Sequence, residues 1–148
     1  MPERFDKLDV FILGNPQGNC SDIFVEHALR PKNAGSMEGA NGFGSVSGHD
    51  GNAMEIWLRV EDDIIAAAAF WTDGCGTTIA CGSMVTETVT GKNIIEALNL
   101  TTDEIEEALG RLPGSTCTCA KLAVDTLKTA ARDYLAFKQE PWRRKYAK

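Results

Sequence analysis

A strictly alternating segment, Met54-Glu55-Ile56-Trp57-Leu58-Arg59-Val60, is the feature that most restricts the fold of this chain. Its apolar side chains all fall on one face, which is typical of a half-buried β-strand. The acidic turn Glu61-Asp62-Asp63 follows, and then an apolar run from Ile64 to Trp71. The four alanines of that run would suit a helix, but a run of eight residues directly after a strand and a tight turn favours a hairpin partner.

The segments before the hairpin predict one helix and a loop-rich region. Ser21 is a good N-cap, an apolar stripe at helical spacing follows, and Pro31 ends the helix. His27 stands beside Glu26 on this helix and is expected to face water. The glycine-rich passage from Gly35 to Gly51 is too flexible for a helix and favours short strands with loops.

The segments after the hairpin are predicted to be helical. One helix runs from Thr77 to Thr90 and stops at Gly91. Thr101-Thr102-Asp103-Glu104 is a capping box for a short acidic helix that ends at Leu109. The last helix is expected to begin near Cys117 or Cys119 and to continue to about Lys138.

Strands that come first and helices that follow predict an α+β fold, in which helices pack on an antiparallel sheet. The 148 residues suffice for one domain. We assign 1–20 to an N-terminal arm or lead-in strand, 21–138 to the domain, and 139–148 to a basic C-terminal tail.

Composition and charge exclude several classes of function. Hydrophobic content of 43% and charged content of 24% are ordinary for a globular protein, and a net charge of −6 argues against nucleic-acid binding. No segment is long enough to cross a membrane, and the early apolar run Val10-Phe11-Ile12-Leu13 is too short for a signal peptide. The expected location is therefore the cytoplasm, where thiols stay reduced.

Among the five cysteines, Cys75 is the most distinctive because glycines flank it and a predicted helix follows. The glycines allow a tight turn and leave the sulfur accessible, while the start of a helix favours the thiolate, the form that binds metal. The alternative is a simple turn that holds a small polar residue.

Three further positions are candidate ligands. In an extended chain, side chains that are two residues apart point the same way. Cys117 and Cys119 can therefore bind one metal ion if Cys117 belongs to the loop that leads into the helix. The alternative is that both are small packing residues. Cys81 lies among apolar residues, which favours a buried, inert thiol over a ligand. The loop His49-Asp50-Gly51-Asn52 supplies either a ligand or only a solvated turn.

Several short stretches occur in an order typical of one known family: Arg30-Pro31-Lys32-Asn33-Ala34-Gly35, Gly48-His49-Asp50-Gly51-Asn52-Ala53-Met54, Asp73-Gly74-Cys75-Gly76-Thr77-Thr78-Ile79-Ala80, Val85-Thr86-Glu87 with Gly91-Lys92, and Cys119-Ala120-Lys121-Leu122-Ala123. Through them the chain from Phe24 to about Lys138 resembles the NifU/IscU-type iron–sulfur cluster assembly scaffolds. The resemblance implies a three-stranded antiparallel sheet with helices on one side.

The resemblance also implies a site made of three cysteines, an aspartate two residues after the first cysteine, and often a histidine before the third. Cys75 stands at the second cysteine position and Cys119 at the third, which in the family also tends to accept persulfide sulfur. Asp50, Asn52 and Thr118 stand at the first cysteine, the aspartate and the histidine positions. Cys117 would restore a third thiolate, with Asp50 or Cys81 as a fourth ligand.

Three functions remain open at this point. The first is a scaffold or carrier, not an enzyme, that binds a labile cluster, expected to be [2Fe-2S], and passes it on. The second is a zinc-bound persulfide acceptor similar to the SufU branch, and the third is a metal-free interaction module. The implied partners are a cysteine desulfurase, apo-protein acceptors and a second copy of the chain. The family's chaperone-binding L-P-P-V-K segment is altered to Leu112-Pro113-Gly114-Ser115-Thr116, which argues against an Hsp70-type chaperone.

Overall fold

A computed structural model describes residues 22–48, 51–74, 76–110 and 116–139. The proposed N-terminal arm, Ser21 and the basic tail beyond Gln139 lie outside these ranges. The elements in chain order are α1 (Asp22–Leu29), β1 (Gly42–Ser47), β2 (Ala53–Glu61), β3 (Ile64–Thr72), α2 (Gly76–Val89), α3 (Ile94–Leu98), α4 (Thr102–Leu109) and α5 (Thr116–Gln139). Within the described residues, no helix is both long enough and apolar enough to span a membrane.

The three strands form one antiparallel sheet in the order β1-β2-β3, which confirms the predicted hairpin. Asp62 and Asp63 make the turn with φ values of 55° and 64°, a left-handed conformation that aspartate tolerates better than most residues. The alternating segment places its apolar side chains in the core, where Met54, Ile56 and Leu58 are fully buried.

The helices pack on the core face of this sheet, as the α+β interpretation predicts. Helix α5 crosses β1 at very short range. A Cβ atom added to Gly44 would lie 2.6 Å from the backbone of both Thr126 and Ala130, so only glycine permits this approach. The Asp133 carboxylate accepts a hydrogen bond from the Phe43 amide at 2.9 Å, and this bond satisfies a donor of the edge strand.

Helix α3 has no counterpart in the sequence prediction. Asn93 caps it by accepting a hydrogen bond from the Ile95 amide, and the Glu96 carboxylate accepts one from the Asn93 amide. This Asn-x-x-Glu capping pattern is readable in the sequence, but the helix has only five residues and therefore shows no apolar period.

The expectation that His27 faces water is wrong, because its side chain is buried between α1 and α2. Its Nδ1 lies 2.6 Å from the Ser83 hydroxyl and its Nε2 lies 3.2 Å from the Glu87 carboxylate. The Lys32 amide also contacts this hydroxyl, donating a hydrogen bond to the Ser83 oxygen at 2.8 Å. His27 follows the buried Phe24 by three residues and so shares its helix face, which makes a polar side chain part of the helix contact.

The buried imidazole predicts a specific pH dependence of stability. Burial is the main cause that lowers the pKa of His27; Glu87 and Glu26 act to raise this pKa and Lys32 to lower it. The unfolded chain takes up this proton near pH 6.5 and the folded protein only at lower pH. The stability that neutral His27 contributes is therefore complete above about pH 6.5 and lost as the pH falls below it.

Thermal unfolding between about pH 7 and pH 5.5 tests this dependence. The wild type should lose stability over this range, whereas His27→Gln should give a flatter profile because the titrating group is gone. His49→Gln, which removes the only other histidine of the chain, is the matched control and should keep the wild-type slope. A His27→Gln profile as steep as that of the wild type contradicts the assignment.

Candidate functional site

Two chain connections meet where β2 begins and β3 ends. The Asp73 Oδ1 atom accepts a hydrogen bond from the Ala53 amide at 2.9 Å, and the Thr72 hydroxyl donates one to the Ala53 carbonyl oxygen at 2.6 Å. The Gly74 amide in turn donates to the Thr72 hydroxyl at 3.1 Å. These bonds hold the residues that precede Cys75 against the residue that follows the β1–β2 loop.

Two backbone hydrogen bonds join the described residues of the β1–β2 loop. The Gly48 amide donates to the Asn52 carbonyl oxygen at 2.7 Å, and the Gly51 amide donates back to the Gly48 carbonyl oxygen at 3.2 Å. Gly51 has a φ of 88°, a left-handed conformation that strongly favours glycine. These bonds hold Gly48 and Gly51, the described residues on either side of the sequence positions of His49 and Asp50, close together.

A third segment joins the site at the start of α5. The Thr78 Oγ1 atom lies 3.3 Å from the Cys119 sulfur, with either atom able to donate. Thr78 is fully buried in the first turn of α2, and Cys119 is half-buried at the end of the first turn of α5. This contact brings the helix that directly follows Cys75 against the helix that carries Cys119.

Glycine is required at position 74 because a larger side chain would not fit, and not because the backbone adopts a left-handed conformation. A Cβ atom added to it would lie between 2.6 and 2.9 Å from three side-chain atoms of Thr78, while its φ is outside the left-handed region. The Thr78 side chain therefore fills the gap between the chain that leads into Cys75 and the Cys119 sulfur. Sequence reasoning assigned this glycine to a tight turn, and the structure gives a packing reason instead.

The predicted site residues differ in how far the structure places them. Asp50 and Cys75 lie outside the described residues, whereas Gly51 after Asp50 and both glycines that flank Cys75 are described. Cys117 belongs to the first turn of α5, and its side chain is outside the described part of the structure. The condition of an extended chain at Cys117 is therefore not met. Two residues that are two positions apart on a helix do not face each other, so this helical backbone does not supply the geometry that the prediction required.

Cys81 is completely buried in the hydrophobic core. This burial supports the interpretation of Cys81 as a packing residue. The described side chains include no group of three or more histidine, cysteine, aspartate or glutamate residues that could hold a metal ion. A metal site with three such ligands must therefore use at least one side chain that the structure does not describe. The side chains of Asp50, Cys75 and Cys117 are among these.

Comparison with known proteins decides the family. The model of the NifU-like N-terminal domain matches residues 20–141. The chain belongs to this family. An IscU-named iron–sulfur cluster assembly scaffold protein of Archaeoglobus fulgidus is 43% identical over 115 residues, which cover 77% of this chain and 75% of the relative. The scaffold protein IscU of Escherichia coli is 38% identical over 119 residues, covering 77% and 92% of the two chains.

Solved structures of NifU-like proteins share the fold. The N-terminal part of a NifU-like protein from Brucella abortus superposes with a TM-score of 0.61 at 15% identity, over 78% of this chain and 94% of that one. A SUF-system scaffold candidate from Fervidobacterium islandicum gives a TM-score of 0.59 at 18% identity, over 75% and 95%. These likenesses confirm the three-stranded sheet with helices packed against it.

The sequence analysis does not single out Asp73 and Thr78, whose contacts join the segments of the candidate site. Asp73 lies two residues before Cys75, so an acidic side chain next to a candidate ligand was visible. Thr78 was aligned with the family motif, but nothing in the pattern indicated that its hydroxyl meets a sulfur 41 residues away. That contact depends on how α2 and α5 pack.

The Gly74–Thr78 packing predicts the effect of adding one methyl group. Gly74→Ala should destabilise the protein by about 1–3 kcal/mol, because the new Cβ collides with the Thr78 side chain. Adding Thr78→Ala should recover part of this loss by removing the colliding atoms, and urea unfolding of the two single variants and the double variant gives the coupling. If the changes in unfolding free energy of the two single variants simply add up in the double variant, the added methyl group is accommodated by a shift that does not involve the Thr78 side chain.

Proposed function

We propose that this protein is a non-enzymatic scaffold or carrier that binds a labile iron–sulfur cluster and passes it on. The contact between Thr78 and Cys119 is the main support, because it brings together the chain segments that carry the family's second and third cysteine positions. Relatives that are 35–45% identical over most of the chain are named as iron–sulfur cluster assembly proteins, several of them as scaffolds. The cluster is the cargo of the protein and is expected to be [2Fe-2S].

In this proposal Cys75 and Cys119 are the principal ligands of the cargo. In the sequence Cys75 directly precedes α2, and Cys119 lies in the first turn of α5; the start of a helix favours a thiolate through its unpaired amides and its dipole. Asp50 is the third ligand that the fold favours most, because the loop that contains it is joined to the Cys75 segment through Ala53, Thr72 and Asp73. Cys119 is also the proposed acceptor of persulfide sulfur.

The remaining candidates have weaker support. Cys117 lies on the same helix as Cys119, and two residues that are two positions apart on a helix do not face each other. Cys81 is enclosed by the core. We retain both residues as proposed ligands, and the expected effect of substituting each one is given below.

A zinc-bound sulfur acceptor is the second candidate function. A set of cysteine and aspartate ligands suits tetrahedral zinc as well as it suits an iron–sulfur cluster. The Asp73 carboxylate beside the Cys75 segment favours this candidate, because it supplies an acidic group near the altered Asn52 position.

The proposed partners are a cysteine desulfurase as the sulfur source, apo-proteins as cluster acceptors, and a second copy of the chain. The proposed location is the cytoplasm. An Hsp70-type chaperone is not included because the segment Leu112-Pro113-Gly114 departs from the family pattern.

Anaerobic purification followed by reconstitution with iron and sulfide tests the function. A brown protein with equal amounts of iron and sulfide is expected, with its metal content and visible absorption spectrum as the measurements. Zinc that iron cannot displace would support the sulfur acceptor instead. Absence of both metals, with every thiol reactive, would reject both and leave a metal-free interaction module.

Single substitutions identify the ligands. Cys75→Ser and Cys119→Ser should each abolish stable cluster binding, whereas Cys20→Ser, the matched control, should bind as the wild type does. Cys81→Ala should keep the metal content and change mainly the stability, since the side chain is buried. Full metal content in Cys117→Ser would exclude Cys117 as a ligand, and loss of metal would show that the start of α5 rearranges on binding.

A further inference from the structure

The face of the sheet that points away from the core carries three aromatic side chains. The buried residues of β2 alternate with three that lie on this outer side, Glu55, Trp57 and Arg59. Phe43 of β1 pairs with Trp57, and the two ring centroids are 5.4 Å apart. Trp71 of β3 pairs with Glu55 and is 46% exposed. We call these five residues the outer aromatic face, and such a group of aromatic rings is typical of an interface.

The charges and side-chain sizes of this face are arranged around Trp57. On β2, Glu55 and Arg59 lie two residues before and after it, each about 7 Å away along the strand. On β3, the large Trp71 stands level with Glu55, and the small Ala67 stands level with Arg59. A rotation that exchanges these two levels therefore brings acid to base and large side chain to small.

A two-fold axis between two copies provides this exchange. If the axis lies between two outer faces and crosses the strands at the level of Trp57, the strands of the two copies run antiparallel. Glu55 of one copy then faces Arg59 of the other, and Trp71 of one copy faces Ala67 of the other. Both contacts occur twice, as in any isologous interface, and sheets stacked about 10 Å apart have room for side chains that interdigitate in this way.

The charges also favour this orientation over the parallel one. An axis along β2 would place Glu55 opposite Glu55 and Arg59 opposite Arg59, and like charges across an interface are unfavourable. Arg59 contacts Glu61 of its own chain at 3.6 Å, but both side chains are exposed and an ion pair of this kind contributes little. The Arg59 guanidinium can therefore also bind the carboxylate of a second copy.

We propose that two copies of this chain form an antiparallel two-fold dimer through the outer aromatic face. A sheet of three strands, the longest of nine residues, offers a footprint of about 400 Å² per copy, roughly half of the ~800 Å² per partner in a standard interface. The dimer should therefore be weak, and its formation should depend on protein concentration.

This arrangement has a consequence for the candidate site, and that consequence rests on the proposed function. Because the strands of the two copies run in opposite directions, the Ala53 end of one β2 lies over the Glu61 end of the other. The two candidate sites then lie at opposite ends of the dimer. Each copy would bind its own cargo, and the two copies would not share one cluster.

Sedimentation equilibrium of the full-length, metal-free chain under reducing conditions tests for the dimer. From about 10 to about 500 µM, the weight-average mass should rise from that of one chain toward that of two. Trp71→Ala should weaken the association at least about tenfold, because it removes the most exposed ring of the interface. Ile95→Ala is the matched control: it removes a side chain of α3 that is 54% exposed and should associate as the wild type does.

Charge reversals test the orientation of the two copies. Glu55→Arg places two positive charges opposite each other and Arg59→Glu two negative ones, so each variant alone should remain monomeric over this range. An equimolar mixture of the two variants should form a heterodimer, and the double variant should associate as the wild type does. Glu107→Arg makes the same charge change at an exposed position of α4 and should leave the association unchanged.

The outcomes separate this inference from the proposed function. A wild type that stays monomeric throughout, or a dimer that both charge reversals leave intact, would overturn the inference. A monomer whose melting temperature falls strongly in Trp71→Ala would assign the outer aromatic face to another segment of the same chain and would overturn it as well. Reconstitution with iron and sulfide is scored independently: a monomer that binds a cluster contradicts only the dimer, and a dimer that binds none contradicts only the proposed function.

Discussion

The register of the β2–β3 hairpin is the constraint on which the rest of the structure depends. It pairs Met54 with Thr72, and this pairing places Ala53 beside Asp73, where the β1–β2 loop and the chain before Cys75 meet. A shift by one residue would turn the buried face of β2 toward solvent, so the apolar core enforces the register. The core and the candidate site are therefore fixed by the same pairing.

The turn of this hairpin also positions α5. Asp63 accepts hydrogen bonds from the Tyr134 hydroxyl at 2.8 Å and from the Lys138 ammonium at 2.8 and 2.9 Å. The contacts with Lys138 first, and then with Tyr134, lower the pKa of the Asp63 carboxyl. From Lys138 back to Cys119 the helix is about 28 Å long, close to the length of about 27 Å for the nine residues of β2. A helix anchored at the hairpin turn thus carries Cys119 to the opposite end of the sheet, where Ala53 and Thr72 lie.

The sequence predicts the local elements well because their signals are local. The alternation from Met54 to Val60 and the capping box at Thr101 each describe structure within a few residues. The position of His27 could not be read in this way, because its burial depends on the partner side chains Ser83 and Glu87 on another helix. The two contacts that build the candidate site join residues 20 and 41 positions apart, and only the packing of the whole fold creates them.

The start of α5 is held in place by more of the fold than the β1–β2 loop is. This difference bears on how a cargo would leave the proposed site. Cys119 is half-buried on a helix of 24 residues that packs across the core, so its backbone moves only if the fold opens. Asp50, the proposed oxygen ligand, belongs to the β1–β2 loop, which is joined to the end of β3 only through the hydrogen bonds that Ala53 makes with Thr72 and Asp73 among the described residues. Oxygen ligands also hold iron–sulfur centres less firmly than thiolates do. In the proposed function, the bond to a carboxylate ligand would therefore break first, while the Cys119 thiolate holds the cargo until an acceptor replaces it.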